Sequence, residues 1–347
     1  MSLRLDAASP SHLISHMGHA ITSAEDRTPR LPTDAQREAL MVQAAKLFFR
    51  LDRSQTEIAA DLGLTRWQVS RLLTEARSLG IVRIEISPRR QRLPDLEARL
   101  QSAFGLRDAI VVQSAETEAQ GTDAVARAAA EYLAALQPKP ALIGISWGRT
   151  MAAVARNLPQ GWAPGVHVVQ VNGAVSLRLG MPGTHAVAEA FARAAPGTAT
   201  MLPAPAILGS PTSRAVLQQD RVVADVLRLA ESAPVLVFSL GAAGQDSVHV
   251  TSGYLGADEM QALQTKGAVG DLMGRFIDAA GRIADPALDD RTLGLGLGSL
   301  PGRERSIGVV AGAAKHAVAL AALRAQYVNV LITDEATALH ALEMGDE

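Results

Sequence analysis

From Ala109 onward, short apolar runs alternate with amphipathic stretches, and this alternation constrains the fold more than any other feature of the chain. The runs occupy residues 109–112, 141–146, 166–171, 235–240, 307–311 and 328–333. Between them, apolar residues recur at helical spacing over 122–136, 150–158, 184–194, 221–230, 313–323 and 335–342. An apolar run that does not alternate with polar residues reads as a strand buried on both faces. Strand–helix alternation of this kind predicts an α/β domain with a mainly parallel sheet covered by helices on both sides.

The chain before residue 95 is of another kind. With 347 residues there is room for about two domains, at roughly 100–200 residues each. Residues 1–34 mix Ser, Pro, Thr and His with little periodicity and read as a flexible arm. Helices are predicted over 35–51, 55–62 and 65–79, with Ser54 and Thr65 as N-caps and Gly80 as a left-handed terminator. Residues 81–86 alternate apolar and polar, as a half-buried strand does, and can form one arm of a wing. Pro88 and Pro94 bracket a basic, non-periodic run that reads as a linker. The predicted organisation is therefore an arm (1–34), an all-α helix-turn-helix (winged) domain (35–88), a linker (89–94) and a larger α/β domain (95–347), which opens with a short helix over 95–104.

The segment from Gln55 to Leu73 carries the clearest motif. Two helices meeting at a tight turn need a small residue where they touch, which Ala59 supplies, and a residue that tolerates positive φ, which Gly63 supplies. Val69, Leu72 and Leu73 can face Ile58, Leu62 and Leu64. What remains outward on the second helix is Arg66, Trp67, Gln68, Ser70 and Arg71. Arg pairs with guanine, Gln with adenine, and Ser or Thr with phosphate. A net charge of +5 between Ala35 and Leu93 (eleven Lys or Arg, six Asp or Glu) sits in a chain whose total is −2. A local basic block in an acidic chain points to nucleic acid as the partner. Ser54, Gln55, Thr65, Arg66, Trp67, Gln68, Ser70 and Arg71 are the expected DNA-binding residues. Trp67 can stack near the DNA backbone or pack on the preceding helix.

Composition closes off other classes. There is no cysteine, which removes disulfide scaffolds, thiolate zinc sites and cysteine nucleophiles. The most apolar C-terminal stretch, 307–323, is broken by Lys315 and His316, so no membrane span or membrane partner is expected, and the N-terminus lacks a secretory pattern. A cytoplasmic protein without cofactor or metal is expected. His12, His16 and His19 would share one helical face, but no further ligand follows at a useful spacing. The run Gly294-Leu295-Gly296-Leu297-Gly298 lacks the spacing of a dinucleotide fingerprint and reads as a loop.

Several Gly-containing loops follow predicted strands, where parallel sheets bind ligands. In Ser146-Trp147-Gly148-Arg149-Thr150, backbone N–H groups at a helix start favour an anion, and the hydroxyls and Arg149 add to that. The others are 240–244, 267–276 and 309–315. Their candidates are Gly241, Gly270, Asp271 (an acceptor for sugar hydroxyls), Phe276, Gly312 and Lys315 (a cation for phosphate).

Taken together, segments 144–150, 267–276, 310–315 and 327–335 resemble the SorC/DeoR-type sugar-binding transcriptional regulators, and the likeness runs from about Arg37 to the C-terminus. It implies a homo-oligomer, dimer or tetramer, that binds operator DNA. It also implies a C-terminal domain similar to the sugar-phosphate isomerase (NagB/RpiA-like) fold, taking a sugar or sugar phosphate as effector. It adds Gln170, Asn172 and Gly173 to the effector candidates. Ala313 stands where the family has a second glycine, and Ser239 where it has the first glycine of a Gly-x-Gly. The alternative is a sugar-phosphate isomerase or hydrolase with an appended DNA-binding domain, for which Asp271 and His249 are candidates, although no acid–base pair stands out in the sequence.

Overall fold

The structure, a computed structural model, describes residues 34–82, 92–174 and 186–345. The chain divides into two units, Met1–Ser87 and Pro88–Glu347. The expected arm before Asp34, with His12, His16 and His19, lies outside the described residues, as do 83–86 of the expected wing strand, 89–91 of the linker and the start of the helix expected at 184. Ile81 and Val82 form a bend.

In the first unit, three helices run over Asp34–Phe49 (α1), Gln55–Leu62 (α2) and Arg66–Ser78 (α3). Ser54 and Thr65 cap α2 and α3 as the sequence predicts. Gly63 takes φ 66°, and Leu64 N–H then donates to the Ala59 carbonyl at 2.8 Å, which closes the turn. Ile58, Ala59, Val69 and Leu73 form one small core with Ala44 and Ala45; Met41, Leu72 and Ala76 form another. The first helix, expected to run to residue 51, ends at Phe49, and Leu51 beyond it is exposed.

In the second unit the strands are Asp108–Val112 (β1), Leu142–Ile145 (β2), His167–Gln170 (β3), Thr198–Thr200 (β4), Val235–Ala242 (β5), Ala268–Leu272 (β6), Arg275–Asp278 (β7), Arg305–Val310 (β8) and Val330–Asp334 (β9). The main sheet has the order β1-β9-β8-β5-β2-β3-β4 and every pairing along it is parallel. Its inner strands are buried on both faces because helices cover both: one apolar cluster includes Ile143, Val168 and Val237, the other Val169, Leu236 and Phe238. From β2 the chain builds outward through β3 and β4, then returns to lay β5 on the other side of β2. Strand direction of growth thus reverses between β2 and β5, and that is where an open parallel sheet leaves a crevice beyond its carboxyl ends.

One expectation is corrected. Residues 267–276, read as a loop, form most of an antiparallel hairpin, β6–β7, which pairs with the end of β5 through Gly241↔Asp271. Its turn places both Met273 (φ 54°) and Gly274 (φ 88°) in the left-handed region, the geometry of a two-residue type I′ turn. The signal was obscured by a run of Gly and Ala that does not alternate. Residues 294–298 do lie outside any strand or long helix, with only a short 3₁₀ turn at Leu297–Ser299.

Candidate functional site

On the first unit, Arg66, Trp67, Gln68 and Arg71 are exposed on α3, and Ser70 is half-buried. The Arg71 guanidinium lies 5.6 Å from the centre of the Trp67 ring, so Trp67 stacks along its own helix at the surface rather than entering the core. Gln68 is less available than its outward position implied. Its Oε1 accepts from Thr65 N–H at 2.8 Å, and its own N–H donates to Thr65 Oγ1 at 3.2 Å, completing a capping box. Ser54 is likewise engaged with Glu57 on α2, and Gln55 is the first residue of that helix. Arg66 and Arg71 therefore stand as long, exposed side chains on the outer face of α3, Arg71 lying along the Trp67 ring.

On the second unit a cavity of about 640 Å³ lies at the sheet's reversal point. The loop after β2 supplies Ser146, Trp147 and Gly148, and the helix Arg149–Asn157 supplies Arg149, Thr150 and Arg156. Asn172 comes from the loop after β3, Gly241 from β5, Asp271 from β6, and Lys315 from the turn after β8. Glu118 and Asp123, which the sequence reading did not single out, come from the helix Glu118–Ala135.

One side of this cavity gathers its cations, Arg149 and Lys315, with Glu118 and Asp246 beside them. Gly148 caps the helix Arg149–Asn157 without any side-chain hydrogen bond, so the first N–H groups there are open to an anion. Arg149 is exposed and donates to the Asp246 carbonyl at 3.1 Å. Lys315 is half-buried, and burial pushes its ammonium below the ordinary lysine range; Glu118 opposes that shift and Arg149 adds to it. Asp334, at the end of β9, holds the turn that presents Lys315: its Oδ2 accepts from Gly312 N–H at 2.7 Å and its Oδ1 from Thr337 N–H at 2.8 Å.

The other side is rich in acceptors. Asp271 is buried; its Oδ2 accepts from Gly274 N–H at 2.9 Å and lies 3.1 Å from His249 Nε2. Gly241 makes room for this carboxylate, since a Cβ there would sit 2.1 Å from Asp271 Oδ1. Ser146 Oγ, Asn172 Oδ1 and His249 Nδ1 are buried with no hydrogen-bond partner among the described residues. Native proteins rarely leave such atoms unpaired, and three on one cavity call for a polar partner there, water or ligand. The acid–base pair that sequence spacing did not disclose is this one, brought together by β6 and the short helix Val248–Thr251.

The remaining effector candidates stand behind the wall. Gln170 donates to the Asn172 carbonyl at 2.6 Å, and the Gly173 carbonyl accepts from the Trp147 indole at 2.6 Å. Gly270 packs against Gly241 and Val318, and Phe276 against the His249 ring at 5.5 Å. Gly312 is tied to Asp334. These residues shape the site without lining it. Among the described residues no group of three or more His, Asp or Glu stands as a metal site, and no helix is long and apolar enough to cross a membrane.

A helix-turn-helix unit joined to a parallel α/β unit with a polar cavity at its strand ends defines a DNA-reading regulator with a ligand-binding domain. The chain belongs to the SorC/DeoR-type sugar-binding transcriptional regulators: residues 89–343 match the sugar-binding domain family (Sugar-bind). It is 33% identical over 306 residues to the deoxyribonucleoside regulator of Bacillus subtilis, covering 88% of this chain and 97% of that protein. It is 29% identical to the sorbitol operon regulator of Klebsiella pneumoniae, covering 86% of this chain and 96% of that one. The crystal structure of the full-length sorbitol operon regulator SorC from Klebsiella pneumoniae superposes with a TM-score of 0.65 over 88% of this chain and 98% of that one, at 29% identity.

Proposed function

We propose that the cavity binds a phosphorylated sugar or polyol, and that occupancy changes how the helix-turn-helix unit holds operator DNA. The observation that carries this reading is one cavity that brings Arg149, Lys315 and an open helix N-terminus together, with Glu118 beside the lysine, and also holds Asp271 with three unpaired buried atoms. A carboxylate repels phosphate but accepts from hydroxyls, so the two sides suit the two ends of one ligand. A thermal-shift screen of free and phosphorylated sugars and polyols tests it. A phosphorylated ligand at about 100 times its dissociation constant stabilises by about 2.7 kcal/mol; a screen in which only unphosphorylated sugars bind would refute the phosphate assignment.

On the DNA side, alanine at Arg66 or Arg71 costs about 1–3 kcal/mol in operator binding and relaxes specificity at one base pair. Alanine at Gln68 acts mainly through the cap of α3. Gel shifts on operator variants check this, and unchanged affinity and specificity for both arginine variants would remove α3 as the reading helix. The Pro88–Glu347 unit carries a C-terminal domain of the sugar-phosphate isomerase type that holds a homo-oligomer together. Two-fold proteins read half-sites about one helical turn apart, so light scattering on the DNA complex is expected to give at least two chains; a monomer would rule assembly out.

The His249–Asp271 pair is the one observation that favours an isomerase-like enzyme instead. We read the pair as a binding device, because the relatives are regulators. Turnover of any sugar phosphate in the panel would reverse that.

A further inference from the structure

His249 is almost fully enclosed, 2% exposed, yet it borders the cavity. Its ring is walled by Trp147, Phe276 and Tyr254 at 5.9, 5.5 and 6.5 Å between ring centres. Asp271 Oδ2, 3.1 Å from Nε2, already accepts from Gly274 N–H. A carboxylate oxygen set against Nε2 is matched by an N–H there, and in that tautomer Nδ1 is the lone pair. That lone pair is buried and unpaired among the described residues. The unpaired Ser146 Oγ and Asn172 Oδ1 on the same cavity can accept as well. What completes this side is a ligand group that donates. A carbonyl oxygen set against Nδ1 would oppose two lone pairs, and a hydrogen there would leave Nδ1 unpaired.

We propose that His249 is a specificity-determining residue: through Nδ1 it reads one hydroxyl of the effector, with Asp271 fixing the tautomer that makes it an acceptor. The site then takes a ligand reduced to the alcohol at that carbon and rejects its keto or deoxy counterpart. This rests on the reading of the cavity as a sugar-phosphate site.

Calorimetry on the full chain tests it with pentitol and hexitol phosphates and their single-position keto and deoxy analogues. On the wild type, one position is expected at which either change weakens binding roughly tenfold or more, since a buried polar group is left unpaired. On His249→Leu the same change costs nothing further. His249→Asn and His249→Gln separate reading from bracing. The Asn amide reaches the place of Nδ1 and keeps the discrimination; the Gln amide reaches the place of Nε2, keeps the bond to Asp271 and loses the discrimination. The opposite order, with Gln retaining it and Asn losing it, would show that His249 only braces Asp271 and would overturn the proposal. So would a wild type that binds these phosphates without discriminating at any position. If none of the panel binds the wild type, the sugar-phosphate reading fails first and this inference falls with it.

Discussion

Replacing Arg275 with alanine is expected to destabilise the Pro88–Glu347 unit by about 3–5 kcal/mol, as removal of one partner of a buried ion pair does. Arg275 is 4% exposed and begins β7, directly after the type I′ turn. Its Nη1 reaches Asp289 at 2.5 Å, its Nε donates to the Leu295 carbonyl at 2.8 Å, and its Nη2 donates to the carbonyls of Gly294 and Thr292 at 3.2 and 3.4 Å. One side chain therefore fixes the loop 292–295 to the hairpin. That loop in turn pairs with the strand end that carries Asn172: Gly173 N–H donates to the Leu293 carbonyl, and Leu295 N–H to the Val171 carbonyl. Alanine leaves the Asp289 carboxylate and three carbonyls without their donor. At about 2–4 °C per kcal/mol for a unit of this size, the melting midpoint falls by roughly 10 °C. Lysine rescues little, because an ammonium has three donors at one point and cannot reach the four acceptors that the guanidinium fork spans. Effector affinity falls as well, since Asn172 loses its frame. A thermal melt of Arg275→Ala within a degree or two of the wild type would show that the network is not what holds this loop.

The sheet was legible in the sequence because a strand buried on both faces must be apolar at every position, as Val168, Val237 and Ile307 are. The cation-bearing loops were legible for a related reason: in a parallel sheet all strand ends that bind ligands lie on one side, so Ser146 and Lys315 had to share it. The hairpin β6–β7 was not legible. It pairs by backbone at Gly241 and Gly270, where there is no side chain to alternate, and its positive-φ turn begins with Met273, a residue that gives no turn signal. His249 and Asp271 were legible as candidates but not as a contacting pair, since they lie 22 residues apart on different elements. Gln68 shows the converse limit. Helical spacing put it outward correctly, but spacing does not show that Thr65 claims its carbonyl.

Lys315→Ala is expected to weaken a phosphorylated effector by about 1.5–3 kcal/mol, roughly 10- to 100-fold, and to leave its unphosphorylated parent nearly unchanged. Among the described residues Lys315 forms no ion pair within 4 Å, so its charge is not spent on a carboxylate. The Gly312–Asp334 bond holds its turn, and alanine there leaves that bond intact. The lysine's lowered pKa gives the same site a pH signature. Burial, partly offset by Glu118, favours loss of the proton in the free protein, whereas a bound phosphate favours keeping it. Above the second ionisation of phosphate, at about 6, the ligand's charge is constant. As pH rises through the lysine's lowered range, binding must then restore a proton to Lys315, so affinity for the phosphorylated ligand falls and proton uptake accompanies binding. The unphosphorylated parent shows neither effect, and Lys315→Ala removes both. Asp271→Asn behaves differently: it weakens phosphorylated and unphosphorylated ligands alike, because the hydroxyl end is common to both. Titration calorimetry across alkaline pH on these two variants separates the ends of the site. Equal loss for both ligands at Lys315, or a wild-type affinity that stays flat with pH, would show that this lysine does not read phosphate.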